Sequence, residues 1–192
     1  MPGSSQPHAH DESSSRGARD LAWFHFWFST FGTWLRGDVR GFRDHDHRIH
    51  SSVDYRDPPP RSEHAGLRRW VVEHLHKDPV RLPVELRSRA GISILEKFRA
   101  KRIEIVVLAV AEDHVHGIGR FPEDQVRAVV GKAKRASSHA IPGVVWAKKC
   151  GRKRIRSREQ QQETFRYIAR HATEGAWLWT FRDPQPGGAI NA

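Results

Sequence analysis

The sequence predicts a single α+β domain. Three observations lead there. The run Ile103 to Val110 is almost continuous Ile, Val and Leu, the composition of a strand buried on both faces. After it, Glu112-Asp113 forms a tight turn, and His114 to Phe121 makes a second strand antiparallel to the first. Around this pair, apolar residues recur at helical spacing in four separate segments. The 192 residues suit one domain with tails: 1–20 a disordered N-terminal tail, 21–181 the domain, and 182–192 a flexible C-terminal tail.

The first tail is rich in Ser, Gly, His and charge. Trp23 to Trp34 is then dense in aromatics. Phe24, Phe26 and Phe28 fall on one strand face, and Trp23, His25, Trp27 and Ser29 on the other. Burial is the ordinary use of such a strand, and stacking on nucleic-acid bases is the alternative. Residues 36–62 read as a loop ending in Pro58-Pro59-Pro60, which fits neither a helix nor an inner strand. Gly66 to Lys77 is helical through Leu67, Trp70, Val71, His74 and Leu75, and Asp78-Pro79 ends it. A longer helix runs from Pro83 to Arg102 through Leu86, Ala90, Ile94, Leu95 and Phe98, weakened by Gly91.

After the second strand, Pro122 with Glu123 and Asp124 reads as a helix start. Val126, Val129, Val130, Ala133 and Ala140 give that helix its buried stripe. Ile141-Pro142-Gly143 breaks it, and Val144 to Trp146 begins a further strand. A last helix opens at Arg158 or Glu159 and runs to about Glu174, where Gly175 can cap it. Trp177, Trp179 and Phe181 follow.

His-x-His occurs four times, as His8/His10, His45/His47, His74/His76 and His114/His116. The first lies in the polar tail and the second in a charged loop. The third lies in a helical pattern, where positions i and i+2 diverge by about 200°. Only His114 and His116 stand on a strand, on one face, beside a buried run. Two neutral imidazoles so placed can share a divalent metal.

The net charge of +11 and pI of about 10.6 favour a polyanionic partner. The charge is clustered. Lys132, Lys134 and Arg135 crowd one helix, and Lys148, Lys149, Arg152, Lys153, Arg154 and Arg156 form the densest run, a surface suited to phosphates. A basic but merely solvated surface is the bland alternative. Cys150, the one cysteine, excludes an internal disulfide and fits a reducing cytoplasm. No apolar run approaches membrane-spanning length and the N-terminus carries no signal-peptide region, so no membrane is expected among the partners.

Tyr55 falls in the polar loop and Tyr167 in the last helix. Phe165, Ile168, Ala169, Ala172 and Ala176 form that helix's apolar stripe, and Tyr167 lies about 150° from its centre. Its neighbours are Gln160, Glu163 and His171. An off-core tyrosine is either a surface residue or a nucleophile. With paired histidines and strong positive charge, it suggests attack on a phosphodiester polarised by a metal, giving a covalent phosphotyrosine.

Val110-Ala111-Glu112-Asp113-His114-Val115-His116-Gly117-Ile118 resembles the His-hydrophobic-His signature of the single-tyrosine HUH transposases. Tyr167-Ile168 resembles their catalytic segment, Gly131 to Ser138 resembles their second helix, and the order of elements is similar from about Trp23 to Phe181. The resemblance is greatest to the REP-associated branch. It implies a ferredoxin-like or RRM-like antiparallel sheet with a C-terminal tyrosine helix, Mg²⁺ or Mn²⁺ as cofactor, and cleavage of single-stranded DNA near hairpins. It also implies a monomer or a homodimer. Two departures stand out. The family's Asn or Gln four residues after the tyrosine is His171 here, and the following Asn-Pro is replaced by Ala172-Thr173. His171 lies one helical turn beyond Tyr167 on the same polar face, so it is expected as the third metal ligand. Its nitrogen favours Mn²⁺, Co²⁺ or Ni²⁺ over Mg²⁺. The alternative is a histidine that merely ends a helix.

Two rival functions remain. A domesticated relative would bind single strands and cut nothing. A structural zinc or histidine-rich metal-handling protein would bind metal indifferently to Tyr167 and would leave the Lys/Arg clusters unexplained.

Overall fold

Alternation decides the first strand. In the computed structural model, which describes residues 20–38, 42, 64–143 and 145–183, Phe24, Phe26 and Phe28 are buried while Trp23, His25 and Trp27 are half-buried. This is β1, Leu21–Ser29. The expected tails and the 36–62 loop fall almost wholly outside the described residues, Tyr55 included.

Helix α1 spans Ala65–Glu73 and α2 spans Val84–Ala100. Strands β2, Glu104–Val110, and β3, His114–Pro122, follow. Helix α3 spans Val126–Ala140, β4 Gly151–Arg154, α4 Arg158–Arg170 and β5 Trp177–Thr180. The strands form one antiparallel sheet in the order β4-β1-β3-β2-β5. Its first four strands, with α2 and α3 as crossovers, have ferredoxin-like βαββαβ connectivity, and β5 extends the far edge. The predicted α+β class is the observed one.

The sheet is covered on both faces. On one, Phe24, Phe26 and Phe28 pack with Leu108, Val110, Val115 and Phe121 against Ala90, Ile94 and Phe98 of α2 and the Val126-Val129-Val130-Ala133 stripe of α3. Phe26, Phe98 and Phe121 meet edge to face, with centroids 5.4, 5.6 and 5.7 Å apart. Truncating one of them to alanine costs about 3–5 kcal/mol. On the other face Val107, Ala109, Ile118 and Ile155 pack with Ile168 of α4. Burial of β2 on both faces is as its composition predicts.

Four expectations change. Pro122 does not start a helix. It pairs with Leu21 at the end of β3, its carbonyl accepts from Gln125 N, and α3 begins four residues later. The first helix ends at Glu73 rather than Lys77, because the His74 ring bonds the Trp70 carbonyl and closes it. Trp70 on this helix is 55% exposed, not core. Gly91 does not simply weaken α2: the Trp177 ring lies where a Cβ would be, so glycine is what lets β5 close onto the helix. Trp146 forms an isolated bridge with Thr30 rather than a strand, and Val144 lies outside the described residues.

The last helix tightens before it stops. α4 ends at Arg170, a 3-10 turn covers His171–Glu174, and Gly175 closes it at φ +79°. Among the described residues no helix is long and apolar enough to cross a membrane.

Candidate active site

β3 supplies the first two histidines. Val115 points into the core, so His114 and His116 point to the opposite face, beneath α4. Helix α4 is set there by Ile168, which is fully buried. The 3-10 turn then brings His171 inward to 6% exposure. One ring nitrogen of each of His114, His116 and His171 lies within 4.8 Å of the other two. His171 is thus in the cluster rather than on the surface.

Each ring is held from behind. His114 Nδ1 bonds Asp113 Oδ1, His116 Nδ1 lies 2.8 Å from His25 Nε2, and His171 Nδ1 lies 2.9 Å from Glu174 Oε2. The tautomer with a proton on each Nδ1 satisfies all three bonds and leaves three Nε2 lone pairs. The Nε2 atoms of His114 and His171 are buried and have no hydrogen-bond partner. Buried polar atoms without partners are costly unless something occupies them. Rings oriented through their other nitrogen are the usual arrangement of metal-binding histidines. Three imidazoles so arranged could hold a divalent ion.

The turn carrying this motif is anchored in its backbone. The Asp113 carbonyl accepts from Thr30 N at 2.8 Å and from the Thr30 and Thr33 hydroxyls at 3.1 and 3.3 Å.

Burial keeps His116 and its partner His25 neutral. Burial, then the neighbouring His25, His114 and His171, push His116 down to about 2. Burial, then Lys153 and His171, push His25 down to about 4. Neutral rings keep their lone pairs available to a cation. Glu174 is held below the usual carboxylate range, chiefly by its hydrogen bond with His171.

Tyr167 borders the cluster. Its ring centroid lies 5.1 Å from that of His171 and 5.5 Å from that of His116. It is 41% exposed, open to a substrate. Burial raises its phenol, and the Arg170 guanidinium, 5.8 Å from the ring centroid, works against that rise.

The expected nucleic-acid contacts separate. In β4, Lys153 pairs with His25 and therefore shares the face of the histidines. Arg152 and Arg154 pair with Phe26 and Phe24, which face the other way, and their guanidinium groups reach Glu123. Lys132 and Arg135 are exposed on α3, across the sheet from the cluster, and Lys148 and Lys149 are exposed ahead of β4. Arg156 lines an open cleft of about 380 Å³ with Trp23 and Arg154. Lys134 departs from expectation. It is 8% exposed, and its ammonium donates to the carbonyls of Ala147, Lys148 and Lys149, so its charge is spent holding that segment against α3.

Sequence reasoning missed His25, Asp113 and Glu174. For His25 the signal was available: it alternates with Trp23 and Trp27, on the face opposite the phenylalanines.

No protein-family model matches the chain, and no curated protein matches it in sequence. Among solved structures, a REP-associated tyrosine transposase bound to a REP hairpin aligns with 14% identity and a TM-score of 0.46. The alignment covers 85% of this chain and 74% of that one. It is a distant likeness at the level of the fold.

Proposed function

We propose that the protein is a metal-dependent nuclease and strand transferase acting on single-stranded, hairpin-containing DNA through Tyr167. One observation carries this reading: a partly exposed phenol stands beside three histidines whose free nitrogens converge. In this reading His114, His116 and His171 hold the ion, with Mn²⁺ better matched than Mg²⁺ to three nitrogen donors. A bound divalent ion would polarise the phosphodiester and offset charge in the transition state. The Tyr167 oxygen attacks phosphorus, the bond from phosphorus to the 3′-oxygen breaks, and the phenol proton passes to solvent or to the leaving oxygen. The product is a 5′-phosphotyrosine and a free 3′-hydroxyl. Reversal by another 3′-hydroxyl rejoins DNA without a nucleotide cofactor, which makes transposition the natural use.

Arg170 favours the phenolate, and Lys153, on the histidines' side of the sheet, would meet the phosphates. The test is incubation of the full chain with end-labelled hairpin DNA and Mn²⁺ or Mg²⁺, followed by a denaturing gel. A labelled covalent adduct is expected with the wild type. Tyr167→Phe should form none while retaining DNA affinity within about twofold, since it removes one exposed hydroxyl. Adduct formation by Tyr167→Phe, or its transfer to Tyr55, overturns the assignment. Binding without cleavage by the wild type leaves a single-strand binding module.

A further inference from the structure

Trp27 is a large aromatic that belongs to neither hydrophobic cluster. Trp23, four residues earlier on the same face, packs against the group around Ile155, Ile168 and Phe165. Trp27 instead faces Gly151 across the β1–β4 pair. A Cβ at position 151 would meet the indole atom Cε2 at only 2.1 Å. The indole therefore lies over bare backbone of β4, the edge strand of the sheet. Its plane is within 23° of the His116 ring, with centroids 6.4 Å apart, and it also meets His25 at 4.9 Å. Glycine below and rings beside it fix the indole, while it remains partly exposed. Two residues along β4 on the same face stands exposed Lys153.

A fixed, partly exposed indole with a cation alongside is what an unpaired nucleobase and its phosphate require. We infer that Trp27, seated on Gly151, is the stacking platform for the base next to the phosphodiester attacked by Tyr167, and that Lys153 pairs with that nucleotide's phosphate. The inference rests on the single-strand reading above and adds a subsite to it. The His116 ring links the two places, since it flanks both Trp27 and Tyr167. Stacking reads no base edge, so the subsite accepts any base.

The experiment pairs protein variants with abasic DNA. Hairpin oligonucleotides carrying one abasic site at successive positions around the cut are titrated into wild type, Trp27→Ala, Trp27→Phe and Gly151→Val. In the wild type, one abasic position beside the cut should weaken binding by roughly five- to 150-fold, the range of base–aromatic stacking. Trp27→Ala should lose a similar factor on intact DNA and become indifferent to that abasic site. Trp27→Phe should retain most of the affinity, and Gly151→Val, which displaces the indole, should behave like Trp27→Ala. The wild-type abasic scan needs no variant to fold. Cleavage with no position-dependent abasic loss removes the platform and leaves the function standing. Additive losses from Trp27→Ala and the abasic site also remove it. A wild type that neither binds nor cuts single strands removes both.

Discussion

His25 Nε2 lies 2.8 Å from His116 Nδ1, a contact reaching from β1 to β3. Through it a residue outside the nitrogen cluster fixes which nitrogen of His116 keeps its lone pair. His25→Ala should therefore weaken Mn²⁺ binding by about 10–100-fold, the usual effect of removing such a partner. His25→Gln, which can still bond Nδ1, should recover part of the loss. Calorimetric titration of the folded variants decides it. An unchanged Mn²⁺ affinity, with only the melting temperature lowered, would make His25 a packing residue.

Acid should destabilise the metal-free protein. In the unfolded chain His25 and His116 take up protons as pH falls through about 6.5, whereas in the fold they resist until about 4 and about 2. The unfolded state thus binds more protons between those values, and stability falls as pH drops from about 6.5 towards 4. The two rings touch, so they titrate as a pair. Urea unfolding at several pH values, repeated with His25→Phe, should show a shallower acid loss in the variant. Identical pH slopes for the two proteins would contradict the assignment.

The lysines should sort by face. Lys153→Ala should weaken single-strand binding and reduce the dependence of log affinity on log salt by about one, as loss of one phosphate contact does. Lys134→Ala should leave that salt slope unchanged. It should instead cost about 1–3 kcal/mol of stability, because three carbonyls lose their donor. Salt titrations and thermal melts separate these outcomes. A reduced slope for Lys134→Ala would mean that its ammonium reaches DNA.

His171 carries both a metal and a packing consequence. His171→Ala should abolish the covalent adduct at limiting Mn²⁺. Because the ring is only 6% exposed, it should also cost roughly 1–3 kcal/mol without metal. His171→Asn offers an oxygen donor and should shift the preference of adduct formation towards Mg²⁺. Wild-type adduct yield from His171→Ala at limiting Mn²⁺ would return this residue to an ordinary helix end.

Much of this was legible from periodicity. The alternation in β1, the unbroken apolar run of β2 and the 3.6-residue stripes of α2, α3 and α4 each report burial, which follows side-chain direction. The face carrying His114 and His116, and the position of Tyr167 off the stripe, followed from the same geometry. What escaped depended on pairing between distant strands. Only the β1–β4 register shows that Lys153, rather than Arg152 and Arg154, shares the histidines' face. Lys134 looked like its neighbours in a basic cluster because its three acceptors are backbone carbonyls, which every residue possesses. Pro122 was misplaced because its fit to a helix's first turn is outweighed by pairing with Leu21.

The 3-10 turn after Arg170 turns the interval from Tyr167 to His171 into a ruler. A helix rotates by about 100° per residue, so one inserted or deleted residue there would swing the phenol or the imidazole out of the cluster. Loops elsewhere can lengthen without touching this relationship. A chain built on the same plan therefore carries the residue that completes the cluster at a set step past its tyrosine, however far the rest has diverged.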